Sequence, residues 1–181
     1  MSGKKVKLHL GCGKRYREGY THVDLAKFKH IDVYSNVDDL NMFDDDSVSE
    51  IYASHVLEYF DEFQAINVLS EWRRVLVRNG TLFLSVPDFN ALIEIYKSTN
   101  DIKKILGPLF GRMPLNDLTI YHKTVYSRKF LFEMLENIGF KECADWDTCI
   151  ELPNFDDHSK AFFPHMDPTG IQVSLNIMCH K

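Results

Sequence analysis

The sequence has little cysteine, no long apolar run, no cluster of basic residues and no low-complexity tract. Its four cysteines, Cys12, Cys143, Cys149 and Cys179, form no Cys-x-x-Cys pair, and their scatter is unlike a disulfide framework. No apolar stretch approaches the roughly 20 residues of a membrane-spanning helix, and the start lacks the apolar segment of a secretory signal. These absences predict a reduced, cytoplasmic protein with no membrane partner. Positive charge is also scarce: 21 Lys and Arg stand against 26 Asp and Glu, for a net charge of −5. Lys4, Lys5 and Lys7 are too few to make a basic face, so nucleic acid is disfavoured and a small-molecule substrate is favoured.

What is present is an ordinary globular composition of 45% hydrophobic residues over 181 positions, enough for a single domain with a real core. Short apolar runs predict strands at Val6–Leu10, Thr21–Leu25, Ile31–Val37, Ser49–Ser54 and Thr81–Val86. The clearest helix spans Asp61–Val77, where Phe63, Ile66, Leu69, Trp72 and Leu76 recur every three or four residues. Asp61 with Gln64 forms a capping-box pattern, and Asn79-Gly80 punctuates the end. Further helices are expected over Phe89–Ser98 and Ser127–Ile138, the second between an N-cap Ser127 and a stop at Gly139. Gly107–Leu118, with two prolines and two glycines, reads as a loop, and Pro153–Gly170 as irregular. Lys141–Trp146 and Ile171–Cys179 read as closing strands. The order predicts an α/β fold: a Rossmann-like, doubly wound, mostly parallel sheet with an antiparallel C-terminal edge hairpin.

The chemistry is concentrated at the start. Val6-Lys-Leu-His-Leu runs straight into Gly11-Cys-Gly13, and Thr21-His-Val then ends on Asp24. Glycines after a strand admit a ligand close to the backbone, and an acid at the next strand end suits ribose hydroxyls. Both features point to an adenosine-type cofactor. The turn lacks the complete Gly-x-Gly-x-x-Gly and the helix that a nicotinamide dinucleotide site opens, which argues against an NAD-dependent oxidoreductase.

In this order, Leu10-Gly-Cys-Gly13, Val23-Asp24-Leu25, Asp39-Leu40, Ile51-Tyr-Ala-Ser-His-Val-Leu-Glu58, Arg74-Val-Leu76 with Asn79-Gly80, and Phe83-Leu-Ser-Val-Pro-Asp88 resemble the class I S-adenosylmethionine (SAM)-dependent methyltransferases. The resemblance runs from about Lys7 to Lys181 and is nearest to short enzymes of the small-molecule type. It implies SAM as cofactor and methyl transfer to an oxygen or nitrogen of a small molecule, with a sugar or cell-envelope precursor as one acceptor class. It implies that Gly11, Cys12 and Gly13 lie against the methionine end of the cofactor. Asp24 and the adjoining Leu25 border the ribose, Asp39 and Leu40 the adenine, and Ser54 and His55 the crevice at the fourth strand's end. It places His122 of Tyr121-His-Lys123 on the substrate side, as the base candidate for a hydroxyl acceptor. His55 is a second candidate. Asp88 suits either substrate binding or a helix cap. The segment 88–126 is expected to form a lid or substrate insertion.

The chain departs from that family in its front half. Only Gly11–Tyr20 and Ala26–His30 separate the first three strands, too little for a covering helix. The lid, the Pro153–Gly170 loop or a second subunit is expected to cover the exposed sheet face, the last of these as a homodimer. The stripped half also leaves open a non-catalytic, methyltransferase-like binding module. Asp156-Asp157-His158 and His165 match no standard metal spacing, so no metal is expected. Phe162 and Phe163 read as core packing more than as a pocket wall.

Overall fold

The computed structural model describes residues 6–151, 154–164, 167 and 169–181. The elements run β1 (Val6–Leu10), β2 (Thr21–Asp24), β3 (Val33–Tyr34), β4 (Val48–Ser54), α1 (Glu62–Val75), β5 (Leu76–Pro87), α2 (Phe89–Thr99), α3 (Lys103–Phe110), β6 (Met113–Leu115), β7 (Leu118–Ile120), α4 (Arg128–Ile138), β8 (Lys141–Asp145), α5 (Thr148–Glu151), β9 (Phe162–Phe163), β10 (Ile171–Gln172) and β11 (Ser174–His180). A seven-stranded sheet has the order β3-β2-β1-β4-β5-β11-β8. The pairs from β3 through β5 are parallel, and β11 is antiparallel to both β5 and β8. The expected doubly wound sheet with an antiparallel closing pair is therefore what forms. Strand order reverses between β1 and β4, so a crevice opens beyond their carboxyl ends.

Alternation along the strands explains the two faces. Leu8 and Leu10, Ile51 and Ala53, and Leu82, Leu84 and Val86 point to one side, into the main core shared with Leu69 and Trp72 of α1 and Leu131 and Leu135 of α4. The residues between them, His9, Tyr52 and Phe83, point to the other side. No helix crosses there between β1 and β2. That face is closed from within the chain. The Arg17 guanidinium lies over the rings of Tyr20 (4.2 Å) and Tyr52 (4.7 Å), with Phe155 at 5.8 Å. Trp146 meets Tyr52 and Phe83 edge-on. The loop 11–20 and the segment from Asn154 thus share the covering role that the sequence reading gave to lid, loop or partner. Arg15 Nε pins the two together through the Asp156 carbonyl at 2.7 Å.

Helix α1 carries the expected capping box: the Asp61 carboxylate accepts from Gln64 N at 2.9 Å, and the Gln64 side chain accepts from Asp61 N at 3.2 Å. Its buried face is Ala65, Val68, Leu69, Trp72 and Val75. Phe63, at 78% exposed, and Ile66, at 40%, lie off that face, which corrects the stripe read from the sequence. The helix ends at Val75 rather than Val77, because Leu76 is already extended and pairs with Val48. Asn79-Gly80 falls inside β5, where the register shifts between Leu76 and Thr81, and does not punctuate the helix. The third strand shrinks to Val33–Tyr34.

Gly107–Leu118 is not a loop. Gly107 and Pro108 belong to α3, and Met113–Leu115 with Leu118–Ile120 forms a hairpin. Burial overrides the poor helix propensity, since Ile105 and Leu109 pack with Leu92, Ile95 and Val173. Phe163 joins this cluster, in agreement with the core-packing reading. Segment 88–126 therefore carries helices and a hairpin above the crevice, and its two ends are tied together by Phe89 N donating to the Tyr126 carbonyl at 2.9 Å.

Candidate functional site

Two cavities meet at the crevice. An outer one of about 380 Å³ is walled by Asp24, Leu25, Asn36, Val37 and Phe60. An inner one of about 460 Å³ is walled by His9, Cys12, Ser54, His122, Asp157 and His158. Gly11, Arg15, His55, Tyr59 and Met113 line both, so they are compartments of one site. Roof residues Gly111 and Met113 close the inner compartment, and Pro114, Leu115 and Ile120 close the outer one.

The glycine turn is built for this place. Gly11 has φ +60, its N–H donates to the Val23 carbonyl at 2.9 Å, and a Cβ there would lie 2.3 Å from Val56 Cγ2. Two residues on, the Gly13 N–H donates to the Asp24 carboxylate at 2.7 Å, and Ala26 N donates to its other oxygen at 2.6 Å. A carboxylate has about four acceptor positions, so Asp24 keeps two for a ligand. Gly11 and Asp24 therefore line one cavity, whereas Gly13 lines neither and instead fixes the Asp24 carboxylate. Burial, with Asp24 nearby, pushes the Cys12 thiol up to about 12, so it stays protonated and contributes through its backbone.

Asp39 and Leu40 lie outside the linings of both cavities. Leu40 is fully buried in the main core, and its N–H donates to Glu71 Oε1 at 3.1 Å. Asp39 is exposed. Asn36 and Val37 hold the wall instead, three residues earlier, and Trp72 Nε1 fixes that wall by donating to the Val37 carbonyl at 2.7 Å.

The inner compartment gathers titratable groups from four segments. His55, at the end of β4, has φ +55, a conformation rare for a side-chain-bearing residue and enriched at functional sites. Its Nε2 is 2.8 Å from Ser174 Oγ. His122 hangs from the roof with Nδ1 3.0 Å from the Pro108 carbonyl, and its ring occupies the space a side chain on Gly111 would need. Glu58 is fully buried below both rings. Asp157 accepts from Tyr52 Oη at 2.5 Å and from Ser159 N at 2.9 Å. Burial pushes its carboxyl up, but the hydrogen bonds from Ser159 and Tyr52 outweigh this and hold it below the usual range. Sequence reading did not single out Glu58, Tyr52 or Asn36. Glu58 stands in a quoted motif, but nothing local marks it as facing His122.

His9 is 2% exposed, and burial, with His22 next, lowers its pKa to about 3. His158 is lowered by burial and by His55. The His9 ring stays neutral in the folded protein well below pH 6.5, where the unfolded chain takes up a proton, and the lowering at His158 acts in the same direction. The stability that neutral His9 confers is complete above about pH 6.5 and is lost as the pH falls from there towards 3. For His9 the slope is up to ~1.4 kcal/mol per pH unit. Urea unfolding at pH 7, 6 and 5 is expected to show this decline, and His9→Gln is expected to flatten it; an equal decline in the variant would remove His9 as its source.

Asp88 caps α2, its side chain accepting from Asn90 N at 2.9 Å. Among the described residues no three His, Cys, Asp or Glu side chains are spaced to hold a metal ion; His165, weighed for such a cluster, lies outside the described residues. No described helix is long and apolar enough to cross a membrane.

No family model and no curated protein sequence matches the chain. Solved structures do. A SAM-dependent methyltransferase from Archaeoglobus fulgidus superposes with a TM-score of 0.58 at 17% identity, covering 99% of this chain and 87% of that one. One from Methanosarcina mazei gives 0.59 at 17% identity, with 97% and 91% covered. The 1,6-didemethyltoxoflavin-N1-methyltransferase of Burkholderia thailandensis, solved with its substrate and S-adenosylhomocysteine, gives 0.59 at 14% identity, with 97% and 70% covered. At such identities the likeness is one of architecture: this chain has the Rossmann-like fold of the SAM-dependent methyltransferases.

Proposed function

We propose that this protein is a SAM-dependent methyltransferase whose acceptor is an oxygen or nitrogen of a small molecule. One observation carries the reading: the Gly13 N–H bound to the Asp24 carboxylate at 2.7 Å, at the edge of a cavity that runs from Asp24 past Gly11 to His55. The residues fit such a cofactor. Asp24 has acceptor positions left for both ribose hydroxyls, Asn36, Val37 and Leu25 form a slot for a flat base, and the positive-φ turn at Gly11 brings backbone to the cavity for the amino-acid end, while Gly13 holds Asp24 in place.

SAM, when bound, supplies a methyl group already activated for displacement, so the protein's part is to position the acceptor and exclude water. The roof at 88–126 acts as the lid. His122 is the base for a hydroxyl acceptor: Nδ1 is committed to the Pro108 carbonyl, which leaves Nε2 as the basic atom. The inner lining is mainly apolar, but His9, Asp157 and His158 place polar groups in it, which suits an acceptor with hydroxyls such as a sugar or a cell-envelope precursor. Cys12, Cys143 and Cys179 form no disulfide, which suits a reducing compartment such as the cytoplasm. With the sheet face covered from within, the reading requires no second subunit.

Calorimetric titration with S-adenosylhomocysteine and with NAD is the test: the first is expected to bind and the second not. Absence of S-adenosylhomocysteine binding would end this reading. Asp24→Ala is expected to weaken that binding by ~1.5–3 kcal/mol, the scale for a charged hydrogen-bonding group. An unchanged affinity would take Asp24 out of the site.

A further inference from the structure

We infer that Glu58, His55 and His122 form a proton-holding triad, with Glu58 as the positioning carboxylate through which the base takes up the acceptor's proton. This rests on the methyltransferase reading for its purpose, though not for its geometry. A carbonyl only accepts, so His122 Nδ1 is the donor to Pro108 and carries a proton. The Ser174 hydroxyl donates to the His158 carbonyl at 2.6 Å, so in its contact with His55 it accepts, and His55 Nε2 carries a proton. Both outward nitrogens are thereby fixed as N–H. Both inward nitrogens approach one atom: His55 Nδ1 lies 3.3 Å and His122 Nε2 lies 3.7 Å from Glu58 Oε1.

If both rings were neutral and Glu58 ionised, three lone-pair-bearing atoms would face one another in a buried space. Neither Glu58 oxygen accepts a hydrogen bond, and the side chain is 1% exposed. A buried carboxylate left so is among the costliest arrangements in a protein. One proton added to the three inward atoms resolves it: an imidazolium pairs with the carboxylate, and the triad becomes neutral overall. Among the described residues, Glu58's ion-pair partners are these two histidines.

The surrounding groups leave the charge to the triad. The Tyr59 ring stands edge-on to His122 at 4.8 Å, and burial, with Glu58 adding to it, pushes the Tyr59 hydroxyl up to about 12. Tyr126, behind, is raised by burial and then by Glu58 and Glu62. His158, 5.4 Å from His55, is lowered by burial, with Arg15 opposing its charge and Asp157 favouring it. Lys123 turns away to Gln64 Oε1 at 3.1 Å. Both tyrosines and His158 are thus held neutral, and the central proton belongs to His55 and His122.

At rest the triad holds one central proton and has room for a second. When the acceptor's O–H or N–H bond breaks, its electron pair stays on the acceptor atom and the proton binds the free inward nitrogen. Glu58 then faces two imidazolium rings and balances one of them. The Glu58 main chain separately seats the roof, because Lys123 N donates to the Glu58 backbone carbonyl at 2.7 Å.

The test is histidine ring ¹⁵N spectroscopy of the ligand-free protein at pH 7, with assignments from single His→Gln variants. The expected wild-type result is one imidazolium summed over His55 and His122. In Glu58→Gln that signal is expected to be lost, leaving two neutral rings protonated at Nε2 of His55 and Nδ1 of His122. Two neutral rings in the wild type, or unchanged signals in Glu58→Gln, would overturn the proposal. If Glu58→Gln does not fold, His122→Asn carries the test, since its amide keeps a donor for Pro108; His55 is then expected to be fully imidazolium, and a neutral His55 overturns the idea. A stoichiometric metal retained through purification, whose chelation changes these signals, would assign the centre to a cation other than a proton and also overturns it. None of these readouts needs methyl transfer, so failure of the methyltransferase reading shows separately, as absent S-adenosylhomocysteine binding.

Discussion

Gly11→Ala is expected to abolish S-adenosylhomocysteine binding and to lower stability by about 2–5 kcal/mol. Two costs combine. At φ +60 an L-residue is strained by roughly 1–2 kcal/mol. The added Cβ would also sit 2.3 Å from Val56 Cγ2, and Val56 is 7% exposed and stiff at its β-carbon. Overpacking of this kind costs typically 1–3 kcal/mol. The loop must shift to escape, and Gly13, whose N–H binds Asp24, shifts with it. Urea unfolding measures the first effect and calorimetry the second. The double variant Gly11→Ala/Val56→Ala separates them, because it relieves the clash and leaves the backbone strain. A Gly11→Ala protein as stable as the wild type and with full affinity would show that the turn is not constrained as the geometry requires.

Trp72→Ala is expected to cost about 3–5 kcal/mol, the range for deleting a large buried aromatic. Trp72 is fully buried on α1 among the residues that join helix to sheet. Its consequence for the site is more specific. Trp72 Nε1 is the donor that satisfies the Val37 carbonyl, and Val37 walls the outer cavity. Trp72→Phe keeps most of the buried area but removes that donor, and is expected to cost about 1–3 kcal/mol, the penalty for an unsatisfied buried carbonyl. It is also expected to weaken S-adenosylhomocysteine binding more than Leu135→Ala does, since Leu135 lies on α4 and lines neither cavity. Equal affinity losses in the two variants would mean that the wall does not depend on Trp72.

Elements with local causes were legible in the sequence. The β1 strand, the glycine turn, Asp24 at the end of β2 and the capping box of α1 each follow from neighbours within a few residues, and each stands where the pattern put it. Features with distant causes were not. Asn36 and Val37 lie in a stretch with no period of its own, shaped by Trp72 and Glu71 of α1 and by Arg74, which donates to the carbonyls of Leu40 and Phe43. A motif register alone therefore points to Asp39 and Leu40. Gly107 and Pro108 signal a break, yet burial of Ile105 holds them in a helix. Phe63 and Ile66 fit a helical spacing, but the face that is buried is set by the sheet beneath. The Glu58 contacts join the start of α1's approach to the roof across more than sixty positions of chain, a meeting that no local pattern announces.

Arg17, held flat among Tyr20, Tyr52 and Phe155, has a consequence for how small this architecture can become. A crossover helix ordinarily shields the second face of a parallel sheet with aliphatic side chains. Here one long cation and a few rings do so, their stems and π-faces turned inward. That shield depends on charge at a single guanidinium, so a neutral side chain there would loosen the front of the molecule while leaving the helical side intact. Cohesion at the front of the sheet thus comes from a cation wedged among aromatic rings in place of a continuous aliphatic layer.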